Sequence, residues 1–94
     1  MARIEVTAAG EDDRQLSFRV TVGDGSESHH DVTVSRVDYL RLGGAYDSPE
    51  RFIRACFGFL LAREPKESIM ARFDVSVIGR YFPEFEGEIA RGGA

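Results

Sequence analysis

Hydrophobic and polar residues alternate with period two through the first third of the chain. Ile4, Val6 and Ala8 are separated by Glu5 and Thr7, and Leu16, Phe18, Val20 and Val22 by Ser17, Arg19 and Thr21. A third run sets His30, Val32 and Val34 against Asp31 and Thr33. Alternate side chains of a strand leave on opposite faces, so each run predicts a strand with one apolar side. The polar segment AGEDDR separates the first two runs and has the length of a hairpin connection. Asp24-Gly25, inside GDGSES, can supply the positive φ angles that a tight turn needs before the third. The sheet expected is a three-stranded antiparallel meander in the order 1-2-3.

At Ser35 the period changes. Ser35 with Asp38 three residues on has the form of a helix cap, and Gly43-Gly44 supplies a stop, so a short helix is expected over about 36–42. The clearest element follows: Ser48 as N-cap, Pro49 at the first helical position and Glu50 in the first turn. It carries Phe52, Ile53, Cys56, Phe57, Phe59, Leu60 and Leu61 and ends before Pro65. The segment KESIMARF predicts a further helical piece with Ile69 and Phe73 on one face. Asp74 then caps a last main helix carrying Val75, Val77, Ile78, Tyr81 and Phe82, which Pro83 stops. Phe85 and Ile89 pair at helical spacing in a tail whose residues 90–94 are expected to fray. With no linker or repeat, the chain reads as one α+β domain over residues 1–94. The meander comes first, followed by two main helices and short helical pieces packed on one of its faces.

Composition narrows the partners more than the fold. With 43% hydrophobic and 30% charged residues, seven Phe and three Tyr, the chain carries enough apolar material to order itself. Sixteen acidic against twelve basic side chains leave a charge of -4, which opposes approach to a phosphate backbone or an anionic membrane. Nucleic acid is therefore not an expected partner. The single Cys56 excludes an internal disulfide, and no stretch reaches the roughly 20 apolar residues of a membrane span. With no apolar run of a signal peptide near the start, the expected setting is cytoplasmic, away from membranes.

The second half, from SPERFIRACFGF to RYFPEFE, resembles a group of short bacterial proteins ending in an F-D-x-S-V-I-x-R-Y-F-P-E-F pattern. That resemblance covers most of the chain. It implies an α+β fold and a bacterial cytoplasmic setting, and it brings no activity with it.

Few residues suggest chemistry. His29-His30-Asp31 holds the common metal ligand and neutral-pH titrating group, but consecutive strand residues point to opposite faces, so the pair reads as polar strand residues. Cys56 is a nucleophile only if a His lies beside it; between Phe52 and Leu60 on the helical wheel it reads as a small core residue. Gly23-x-Gly25 lacks the third glycine of a nucleotide loop, and the only lysine, Lys66, follows no glycine. Asp12-Asp13 and Glu84, Glu86 and Glu88 read as a solvated loop and tail. The outward strand residues carry no aromatic on which a base could stack.

Arg80, Tyr81, Phe82 and Phe85 form the densest aromatic group and are of the types that dominate interfaces. The apolar arc of the Ser48–Arg63 helix spans roughly 200°, more than a one-sided surface helix needs. Gly58 and Ala62 could admit a close neighbour beside it. The function expected is therefore a non-enzymatic binding or assembly module that pairs as a homodimer and uses no cofactor. The alternatives are a small enzyme or metal-dependent factor built on His29, His30, Cys56 or Asp12 and Asp13, and a nucleic-acid-associated regulator gathering Arg36, Arg41, Arg51 and Arg54.

Overall fold

A computed structural model describes residues 3–23 and 25–92. Three strands come first, β1 (Arg3–Glu11), β2 (Gln15–Gly23) and β3 (Glu27–Ser35), joined as an antiparallel meander. Helices α1 (Arg36–Leu42) and α2 (Pro49–Leu61) follow, then a 3-10 turn at Lys66–Ser68 and strand β4 (Arg72–Asp74). A second 3-10 turn, Val75–Val77, leads into α3 (Ile78–Tyr81), and α4 (Phe85–Ala90) closes the fold. The sheet has four strands in the order β1-β2-β3-β4, with the helices on one face.

The alternation sets that face. Leu16, Phe18, Val20, Val22, His30, Val32 and Val34 are all buried, while Ser17, Arg19, Thr21, Asp31 and Thr33 lie on the other side. The β1–β2 ladder runs further than the polar segment suggests. It continues through a bulge between Ala8 and Gly10, and only residues 12–14 make the connection. Asp12 shapes it, its Oδ1 accepting from the backbone N–H of Arg14 at 2.8 Å and of Gln15 at 2.9 Å. In the β2–β3 turn Gly25 takes φ +111°, a conformation that costs a residue with a Cβ. Asp24, the other half of that expected turn, lies outside the described residues, as do residues 93 and 94 of the expected tail.

Both early helices begin as their capping residues dictate. Ser35 accepts from the N–H of Asp38, and Ser48 from that of Arg51 with Pro49 in the first turn. Gly43 ends α1 where a Cβ would lie 2.5 Å from the Tyr39 ring. The wide apolar arc of α2 is consumed within the chain. Phe52, Ile53, Cys56, Phe57, Phe59 and Leu60 are buried and Leu61 half-buried. Tyr39 and Tyr46 meet Phe52 edge-on at 5.6 and 5.7 Å, and Phe59 sits between Phe82 and Phe85 at 5.7 and 5.0 Å.

Two expectations need correction. The segment after Pro65 is not a helix beyond Ser68. Ile69 is already extended, at ψ 130°, and residues 72–74 add a fourth strand parallel to β3, opposing Phe73 to Val32. Ile69 and Phe73 are both buried as expected, because a spacing of four returns to the same side of an extended chain as well as of a helix. The free edge of β3 decides between them: Asp31 N–H donates to Ala71 O at 2.8 Å, and Thr33 Oγ1 to Asp74 Oδ1 at 2.6 Å.

The second main helix is also shorter than its pattern. Asp74 caps as expected, through Oδ2 on the N–H of Ser76, but it opens a 3-10 turn and only four α-helical residues follow. α2 is thus the one long helix among the described residues. The helical spacing of Phe85 and Ile89 is realised in α4, which docks both side chains in the core. Phe85 and Ile89 are 1% and 0% exposed, and Tyr46 Oη donates to Ile89 O at 2.7 Å.

Candidate functional site

The end of α2, the turn after Pro65, β4 and α3 do not close on one another completely. They leave an open cleft of about 420 Å³. Its floor is Leu60, Ile69, Phe73 and Ile78, all buried, and its walls are Val77 and Phe82. At the mouth stand Tyr81, 69% exposed, and Met70, 44% exposed, beside the polar Glu64 and Ser68. Two large apolar side chains beside an apolar floor are an arrangement that a folded chain normally covers. No salt bridge to Glu64 occurs among the described residues, so the rim presents one unpaired carboxylate.

Residues behind the cleft fix its shape. His30, pointing inward from β3, is 3% exposed, with its ring 5.3 Å from that of Phe57. Its Nδ1 lies 2.8 Å from Met70 O, which can only accept, so Nδ1 carries the hydrogen. Nε2 lies 2.9 Å from Ser28 Oγ and completes the pairing of the ring. The bond to Met70 spans forty positions and pins the turn that bears Ile69 and Met70 against the sheet. Lys66, also in that turn, is 6% exposed, with Nζ 2.8 Å from Glu67 Oε2.

The candidate residues of the sequence are scattered. His29 and His30 leave β3 on opposite faces, His29 meeting Thr21 Oγ1 at 3.2 Å on the open side. Among the described residues no three His, Cys, Asp or Glu side chains are grouped as a metal site requires. Cys56 is 1% exposed, and burial drives its thiol far above the ordinary range, which removes the thiolate that nucleophilic attack needs. Asp13 is exposed, and the backbone N–H groups that Asp12 accepts hold its carboxyl below the usual value.

The acidic tail is paired rather than free. Glu86 takes Arg41 through both oxygens at 2.8 and 3.1 Å, and Glu84 and Glu88 flank Arg63, each at 3.3 Å. Arg63 also lays its guanidinium 3.5 Å from the centre of the Phe59 ring. Of Arg36, Arg41, Arg51 and Arg54, the first pairs with Glu11 and the second with Asp38 and Glu86, while Arg51 and Arg54 border a separate small recess.

The aromatic group splits. Phe85 is interior, Arg80 is exposed, and Tyr81 and Phe82 line the cleft. Gly58 and Ala62 are exposed on the outer side of α2. Met70, Glu64 and Ser68 complete the cleft without any signal of their own in the sequence. Their membership depends on a fold-back after Pro65 that no local period announces. No family model, curated protein or solved structure matches the chain.

Proposed function

We propose that the protein is a non-enzymatic binding module and that the cleft is its working surface. It receives one aromatic or branched apolar side chain from a protein partner whose flanking residues are basic. The cleft itself carries this reading: about 420 Å³ with an apolar floor, and Tyr81 and Met70 exposed at its mouth. Partially exposed aromatic and Met side chains over a pre-formed pocket are the residue types on which interface energy concentrates. Glu64 at the rim and a chain charge of -4 favour a basic flank on the partner.

The chain has no Trp, so the indole fluorescence of a blocked Lys-Trp-Lys peptide can be followed against it. The emission is expected to shift to the blue on binding. Glu-Trp-Glu should bind more weakly, with Glu64→Gln narrowing the gap between the two. Tyr81→Ala, at an exposed position, should weaken the basic peptide about tenfold while leaving the circular dichroism of the fold unchanged. No blue shift, or a shift indifferent to Tyr81→Ala, would refute the proposal.

A further inference from the structure

The outer edge of β1 is the longest stretch of unpaired backbone in the sheet. β1 has nine residues and pairs with β2 alone, and among the described residues no backbone group from another segment bonds to it. α2 packs against the inner side of β1 without enclosing it. The inward residues of β2 and β3 are at most 7% exposed, whereas Ile4 and Val6 are only half-buried and Ala8 is exposed. Natural edges are usually blunted by proline, lysine or inward charges. β1 has these only at its far end, where the bulge turns Glu11 to the inner face opposite Leu16 and Arg36 holds it. From Arg3 to Ala8 the edge is regular and its inner face wholly apolar.

Beside Val6 lies a small recess bordered by Glu50, Arg51 and Arg54 at the start of α2. Among the described residues these three side chains enter no ion pair. A patch holding both signs of charge next to an apolar strand can complement a copy of itself across a two-fold axis, which is what an isologous interface requires.

We infer that the edge of β1 pairs antiparallel with β1 of a second copy, centred on Val6, to give a continuous sheet of two sets of strands. In this register Val6 faces Val6 and Ile4 faces Ala8 on the inner side, while Glu5 faces Thr7 on the outer. Centring on Glu5 instead would set two carboxylates opposite each other. The two α2 helices approach across the axis, and Glu50 of each copy meets Arg51 and Arg54 of the other. Self-association at this edge does not involve the cleft, so either can fail while the other stands.

Sedimentation equilibrium at roughly 10 to 200 μM is expected to give twice the 10.5 kDa chain mass. Val6→Lys places a charge on the inner side of the edge, and Glu50→Arg, at a half-buried position, gathers like charges at the axis. Each should weaken the dimer about tenfold or more. Adding Arg54→Glu to Glu50→Arg should restore it, a recovery that a misfolded variant would not show. A monomeric mass throughout the range overturns the inference. So does a dimer that neither Val6→Lys nor Glu50→Arg disturbs, which would place the contact on another surface.

Discussion

Single side chains decide how the cleft is held. His30 was tempting as a metal ligand because of its neighbour, yet its two ring nitrogens are occupied in fastening Met70 and Ser28. Replacing it with Leu keeps the apolar contact with Phe57 and strands the Met70 carbonyl. An unfolding free energy about 1–3 kcal/mol lower is expected, read from urea titration. Gly43→Ala should also destabilise, because the added methyl meets the Tyr39 ring at the end of α1. The Arg41–Glu86 pair has a pH signature. Arg41 holds the Glu86 carboxyl below its ordinary 4.5, so the folded state favours the ionised form. Its contribution is present above 4.5 and fades as the pH falls through the lowered folded value. Both side chains are nearly half exposed, so solvent screens the pair and the effect is small. The urea midpoints of the native chain and Glu86→Gln should differ at neutral pH and converge in acid.

At the scale of elements, the patterns that the sequence made plain were those with local causes. Alternation placed β2 and β3, and the Ser35 and Ser48 caps with Pro49 and Gly43 placed α1 and α2 within a residue or two. β4 was hidden because its three residues have no period of their own. They become a strand by borrowing the edge of β3, through the Asp31–Ala71 backbone bond and the Thr33–Asp74 contact. Thr33→Val should cost about 1 kcal/mol and speed amide exchange in the β4 segment ahead of the remaining sheet. α4 was half legible: the spacing of Phe85 and Ile89 was visible, but its importance lay in Phe59 and Tyr46, far away in sequence. Phe85→Ala should lower stability by about 3–5 kcal/mol, a loss fit for a core position.

For the whole molecule, the same division explains what could be read of function. Tyr81 and Phe82 were recognisable as interface residue types in sequence, and they do border the cleft. Phe85 belonged to the same aromatic run and is interior, because α4 turns it under Phe59. The apolar arc of α2 suggested a surplus for a partner, yet α3, α4 and the turn after Pro65 consume it. The exposure that remains is at the cleft mouth, on the edge of β1, and at Val37 and Leu40 of α1. None of the three could be located without the tertiary fold. The most direct test of the cleft as the working surface is a residue-resolved NMR titration of the chain with the blocked Lys-Trp-Lys peptide. Saturable shifts are expected at Leu60, Ile69, Met70, Phe73, Ile78 and Phe82, and not at Arg19, Asp31 or Thr33 on the open face of the sheet. Shifts centred on that open face, or none up to millimolar peptide, would contradict it.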